Sequence, residues 1–207
     1  MFRALRCIHC RSIFRPVPKG QRSCPDCLTL QAAEQGFLPD HSGFPSSLTY
    51  DGDVARLIGA FKFGNHRRAA RSLGVHLAHA IREGGDRFDV VTWAPTSDGR
   101  RGRRGFDQAE EVARIVAREL GLPCRRLLRR LTVTSQTGRS RHERLADAPR
   151  FVAREVPSGT RVLVIDDVVT TGATLRAAAS ALRDLGAHTV EVGVAATPRP
   201  HPDRTVA

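Results

Sequence analysis

Asp166 and Asp167 stand between an apolar run and a hydroxyl-rich turn, in the segment RVLVIDDVVTTGATL from Arg161 to Leu175. Adjacent carboxylates can accept hydrogen bonds from two neighbouring hydroxyls, such as those of a ribose, worth about 1.5–3 kcal/mol each when one partner is charged. Thr170, Thr171, Gly172, Ala173 and Thr174 follow as a turn that opens a helix. The first backbone N–H groups of a helix lack internal partners and its dipole favours negative charge, so main chain and threonine hydroxyls can hold a phosphate there. Gly172 is expected to let the anion approach. Together the two features form a grip for a sugar phosphate. The plainer alternative is a buried strand with an acidic end and an ordinary capped helix; order, spacing and predicted context favour the grip.

Such a grip needs a strand and a helix to position it. Val162, Leu163, Val164 and Ile165 are mostly β-branched, as in a strand covered on both faces of a parallel sheet. Asp166 and Asp167 then fall at its carboxyl end, where open α/β sheets bind ligands. Leu175, Ala178, Ala179, Leu182 and Leu185 recur at helical spacing over 173–185. Elsewhere the patterns predict helices over 53–61, 66–82 and 106–120 and strands over 88–94, 125–131 and 189–195. A short strand near Phe151 ends a polar loop that runs to about Pro149. This alternation argues for an α/β fold, a mostly parallel sheet with helices on both faces. The 207 residues suit one such domain plus a small appendage. The expected division is an amino-terminal lobe and linker over 1–47, the main domain over 48–200 and a tail over 201–207. Gly36, Pro39, Gly43 and Pro45 make Gln31 to Ser47 read as linker or extended cover. No stretch reaches the roughly 18 consecutive apolar residues of a membrane span.

Cys7, Cys10, Cys24 and Cys27 form two CxxC knuckles separated by thirteen residues. Four thiolates at that spacing complete a closed tetrahedral zinc site, structural because no position is left open for catalysis. Disulfides and a redox CxxC pair are the competing readings. No apolar leader core precedes Arg6 and Cys7, so a reducing cytoplasm is expected, and that favours Zn²⁺. The metal would supply on the order of 10 kcal/mol to a lobe with little core of its own. His9 reads as a bystander within its knuckle, and Cys124 as a packed thiol rather than a nucleophile.

The formal charge of +12 invites a nucleic-acid reading, since clustered cations release counterions when they meet phosphates. Lys19 and Lys62 are the only lysines among 33 basic residues, so the skew toward arginine can equally reflect base composition. Arginines gather at Arg67, Arg68 and Arg71, at Arg100, Arg101, Arg103 and Arg104, at Arg125, Arg126, Arg129 and Arg130, and at Arg139, Arg141 and Arg144. The second and fourth groups fall in predicted loops, where a polyanion would be handled; a solvated basic face accounts for the others. Lys62, between Phe61 and Phe63, could reach a phosphate as a point charge or merely extend past two packed rings.

The apolar strand, paired acids and TTGAT turn resemble the phosphoribosyl-pyrophosphate (PRPP) signature of type I phosphoribosyltransferases. With the zinc knuckles, FKFGNH around Lys62, RGFDQA, the spacing from Gln136 to Arg144 and IDDVVTTGAT, the whole chain resembles the ComF family of competence-type phosphoribosyltransferase-like proteins. The resemblance implies a type I phosphoribosyltransferase-like fold with a zinc ribbon, cytoplasmic, and associated with single-stranded DNA during uptake and with a helicase or another DNA-processing protein. It also implies a site for PRPP with Mg²⁺. Asp166 and Asp167 would hold the ribose, and Thr170, Thr171, Gly172, Ala173 and Thr174 the 5′-phosphate. Thr96, Ser97, Arg100, Arg101, Arg103 and Arg104 would hold pyrophosphate, and Arg139, Arg141 and Arg144 would belong to a flexible loop closing over it. Thr170 stands where 6-oxopurine enzymes of the family carry an aspartate, which argues against that substrate class.

Asp107 and Asp147 depart from the family pattern, which has asparagine at the first position and near the second. An asparagine can donate to a phosphate oxygen, whereas an aspartate repels it unless a cation intervenes; Asp107 can alternatively cap a helix. Two functions therefore follow: phosphoribosyl transfer from PRPP to an unidentified acceptor, or a non-catalytic PRPP-sensing or single-stranded-DNA-binding accessory role.

Overall fold

Val162, Leu163, Val164 and Ile165 are all fully buried because their side chains alternate between two cores on opposite faces of one sheet. Each such burial removes about 1.5–3 kcal/mol of apolar exposure, which explains why the run carries no polar residue. In a computed structural model, residues 4–14, 21–33, 38–39, 44–63, 66, 68–131 and 149–196 are described. The tail over 201–207, Asp147, Arg139, Arg141 and Arg144 lie outside the described residues.

The elements run β1 (Leu5–Arg6), β2 (Ile13–Phe14), α1 (Pro25–Ala32), β3 (Leu38–Pro39), β4 (Pro45–Thr49), α2 (Gly52–Phe63), α3 (Arg68–Glu83) and β5 (Val90–Trp93). They continue with α4 (Asp98–Arg104), α5 (Gln108–Leu120), β6 (Leu128–Leu131), β7 (Arg150–Ala153), β8 (Arg161–Val169), α6 (Ala173–Arg183) and β9 (His188–Ala196). The five-stranded sheet has the order β3-β4-β9-β8-β5, parallel except for the β3–β4 pair. Leu163 and Ile165 join α2, α3 and α5 in one core, while Val162 and Val164 meet Leu175, Ala178 and Leu182 of α6 in the other. Helices therefore cover both faces, as the alternating pattern predicts. On the first face α3 and α5 approach closely: a Cβ built at Gly74 would lie 2.6 Å from Ile115 Cγ2, so only glycine fits without displacement.

Several local expectations are corrected. The segment read as linker or cover contributes β4 to the sheet, its hydroxyls buried against backbone, with Ser47 Oγ donating to Val194 O at 3.1 Å. The strand over 125–131 shortens to β6, which pairs antiparallel with β7 in a sheet of its own. The residues before it do meet the main sheet: Val91 N donates to Pro123 O and Arg125 N to Val91 O, both at 2.9 Å. The GRRGRR stretch read as a loop is α4, closed by Gly105 at φ 76. Arginine is a good helix former, and the left-handed glycine supplies the stop.

The lobe at the amino terminus consists of the β1–β2 hairpin, the two knuckles and α1, with all four cysteines buried. It is bolted to α3. Arg71 Nε donates to Cys10 O, Cys24 Sγ lies 3.9 Å from Ser72 Oγ, and His66 Nε2 meets Asp26 Oδ2 at 3.1 Å. Leu30 of α1 enters the larger core, packed with α2 and α3.

Candidate functional site

β8 outruns its neighbour. Its pairing with β5 stops at Ile165, whereas its pairing with β9 continues through Val169. Asp166 and Asp167 are thus inside β8 rather than at its end, but beyond the carboxyl edge of β5. This offset opens a cleft of about 380 Å³ whose walls include Tyr50, Lys62, Thr96, Asp107, Gln108, Arg130, Asp166, Asp167, Thr170 and Thr174.

Of the residues singled out from sequence, Lys62, Thr96, Asp166, Asp167, Thr170 and Thr174 line this cleft. Ser97, Arg101, Thr171, Gly172 and Ala173 do not. Arg100, Arg103 and Arg104 lie with Arg101 on α4, which leaves the cleft wall just after Ser97. Tyr50 went unnoticed in the sequence, whereas Gln108 belonged to the RGFDQA segment and Arg130 to a cluster read as a solvated basic face. Arg130 has its guanidinium 5.8 Å from the centre of the Phe151 ring, a cross-strand partner on β7. Its signal was the Arg129–Arg130 pair, whose inward member alternation alone could not choose.

The acids crowd one side of the cleft. Asp166 Oδ1 accepts from Asp167 N at 2.8 Å and Asp167 Oδ1 from Val168 N at 2.6 Å. Lys62 Nζ meets Asp167 Oδ2 at 2.9 Å, so the one lysine of the described residues is the counterion of the paired acids. Burial, with the neighbouring Asp167 carboxylate, pushes Asp166 up to about 8. Asp107 is the N-cap of α5: Oδ1 accepts from Ala109 N at 3.2 Å and from Glu110 N at 3.4 Å. Its Oδ2 accepts from Thr96 N at 2.9 Å. Burial raises its pKa as well, against the lowering effect of these backbone donors.

The turn after β8 differs from the expectation at one point. Gly172 is left-handed, with φ 71, and a Cβ there would sit 2.5 Å from Phe44 Cε2. The glycine is thus required by the ring of Phe44, a packing role not foreseen from the sequence. Arg176, one turn into α6, stacks on that ring at 5.6 Å and donates to Thr171 O.

At the far end of the molecule the sulfurs of Cys7, Cys10, Cys24 and Cys27 lie within 4.8 Å of one another. Tetrahedral thiolate zinc with bonds near 2.3 Å places sulfurs roughly 3.8 Å apart, so the donor set and spacing fit that ion. A hydrogen bond from Cys27 draws the Cys10 thiol down to about 3, and burial pushes Cys24 up to about 11. Cys124 bridges to Val91 and its thiol is raised by burial, as for a packed side chain.

Residues 106–204 match the phosphoribosyl transferase domain family. Over nearly its full length the chain is 24% identical to competence protein ComFC of Streptococcus pneumoniae, covering 89% of this chain and 84% of that protein. It is 26% identical to competence protein F of Haemophilus influenzae, covering 90% and 94%. The chain thus carries a phosphoribosyl transferase domain match over its carboxyl-terminal half and resembles two competence proteins over most of its length. Among solved structures, adenine phosphoribosyltransferase from Leishmania donovani superposes with a TM-score of 0.44 at 16% identity, covering 84% of this chain and 68% of that one. The enzyme of that name from Thermoanaerobacter pseudethanolicus gives 0.43 at 15%, covering 80% and 84%. The fold is a phosphoribosyltransferase-type, mostly parallel sheet with helices on both faces and a small tetracysteine lobe. No helix of the described residues is long and apolar enough to cross a membrane.

Proposed function

We propose that the cleft binds PRPP with Mg²⁺ and that the protein is a phosphoribosyltransferase-like component of DNA uptake, as the names of its competence relatives suggest, acting in the cytoplasm. The observation that carries this reading is the convergence of Asp166, Asp167, Thr170, Thr174 and Lys62 on one cleft. Asp166 and Asp167 accept from the ribose hydroxyls, and Thr170 to Thr174 at the start of α6 hold the 5′-phosphate. Thr96 receives the departing pyrophosphate at the cleft wall, Ser97 and the arginines of α4 are assigned to it from beside the cleft, and Arg139, Arg141 and Arg144 are assigned to the loop that closes over it. The oxygen-rich wall and the charge repulsion that raises Asp166 fit a hard cation. Bound there with the ligand, Mg²⁺ would neutralise developing negative charge on pyrophosphate. The residues exclude water and fix the sugar while the bond at C1 loosens. Zn²⁺ held by Cys7, Cys10, Cys24 and Cys27 is structural in this scheme.

Calorimetric titration of the zinc-loaded protein with PRPP and Mg²⁺ tests the reading, with saturable binding expected. Binding should vanish in Asp166→Ala with Asp167→Ala, a variant that keeps its fold because the Asp166 charge opposes folding. Full affinity in that variant overturns the assignment. Release of pyrophosphate that needs both PRPP and an acceptor then establishes transfer. A second reading is favoured by the run of arginines on α4 beside the cleft. There the bound PRPP regulates, and the basic surface engages single-stranded DNA or a helicase. DNA affinity that falls steeply with salt, without pyrophosphate release, supports it.

A further inference from the structure

Thr96, on the β5–α4 connection, lines the cleft, and its amide is already spent. Asp107 Oδ2 accepts from it at 2.9 Å, while Oδ1 of the same carboxylate caps α5. The side chain is 5% exposed and braced at both oxygens, so its charge occupies the position that an incoming anion would need. Further carboxylates stand around it: Glu110 on its own helix and Asp166 and Asp167 on β8, with Lys62 of α2 engaged by Asp167. An anion arriving at Thr96 therefore meets a resident carboxylate on its donor.

We infer that Asp107 is a specificity-determining residue which holds the Thr96 amide against pyrophosphate, biasing the cleft toward a 5′-phosphorylated ribose that carries no anionic group at C1. The inference rests on the PRPP-type reading of the cleft. Asp107 lowers the affinity of the cleft for PRPP relative to phosphoribosyl compounds whose C1 substituent is neutral or cationic, such as nucleoside 5′-monophosphates, without excluding PRPP. Asparagine at this position keeps one oxygen for the α5 cap and presents a donor where the carboxylate accepted. The Thr96 amide is thereby released.

The test compares wild type with Asp107→Asn and with Asp107→Ser, which retains a cap acceptor but is too short to span to Thr96. Affinity is measured for two probes, inorganic pyrophosphate and ribose 5-phosphate. Both variants should bind pyrophosphate about ten- to a hundredfold more tightly, the worth of one charged hydrogen bond. Ribose 5-phosphate should change by less than about twofold. In amide spectra the Thr96 proton should move upfield in both variants, independently of any ligand. Unchanged pyrophosphate affinity, an equal gain for both probes, or an unmoved Thr96 resonance overturns the role of Asp107. Ribose 5-phosphate failing to bind any of the three proteins, while Thr96 still shifts, sinks the phosphoribosyl reading and with it the assigned preference.

Discussion

Four cysteines hold the amino-terminal lobe at a single point, whereas the β8–α6 unit is held along its whole length by side chains in two cores. The lobe buries Cys7, Cys10, Phe14, Cys24 and Cys27 as its own cluster and leaves Leu5, Ile8, Ile13 and Leu28 exposed. In β8, by contrast, Val162 to Ile165 are wholly buried and the strand is paired on both edges. With Zn²⁺ on its four sulfurs, one region would depend on ligation and the other on exclusion of water. The difference teaches where each will fail: the lobe all at once when one sulfur is lost, the sheet by degrees as atoms are removed.

Cys24→Ser is the harshest test of that contrast. It should abolish zinc binding and unfold the lobe, removing on the order of 10 kcal/mol of metal-coupled folding energy, while leaving most of the sheet intact. Elemental analysis and limited proteolysis read both effects; a full metal content would end the zinc assignment. Leu163→Ala should be the next largest, costing about 2–5 kcal/mol in denaturant titration while zinc content stays whole. Loss of zinc in that variant would show the two regions to be one cooperative unit.

The third effect is smaller and depends on pH. Asp166 has its folded pKa raised to about 8 from an ordinary 3.8, so the fold prefers its neutral form. The stability this contributes is complete below pH 4 and is lost as pH rises through 8. Asp107 and Asp167 add to the repulsion and Lys62 relieves it. Melting temperature should therefore fall by several degrees between pH 5 and 9, and Asp166→Asn should flatten the profile. An unaltered slope in Asp166→Asn would assign the pH dependence elsewhere.

Much of the fold was legible because burial on both faces forces an uninterrupted apolar run, and VLVI followed by TTGAT has few other meanings. β4 was not, because its pattern hides in hydroxyls: Ser46 and Ser47 are buried by bonding backbone, and only Leu48 is strongly apolar. α4 was missed because two glycines and four arginines read as a basic loop. In the cleft, Asp166, Asp167, Thr170 and Thr174 are close in sequence and could be read together. Tyr50 follows β4, Lys62 is on α2, Gln108 on α5 and Arg130 on β6, and only the packing of these elements brings them to one wall. Asp107 showed its capping role in advance, but its second bond, to Thr96, depends on how β5 and α5 pack.

Leu30 gives the lobe a hold on the rest of the molecule that the cysteines alone would not. It is the apolar side chain of α1 that sits in the larger core, between α2 and α3. A shortened chain starting at Pro45 would keep every strand of the parallel sheet and yet carry a leucine-sized hole under α3. Excising the tetracysteine lobe thus requires refilling that position with a larger neighbour, and a minimal fragment that keeps the cleft must be redesigned rather than simply cut.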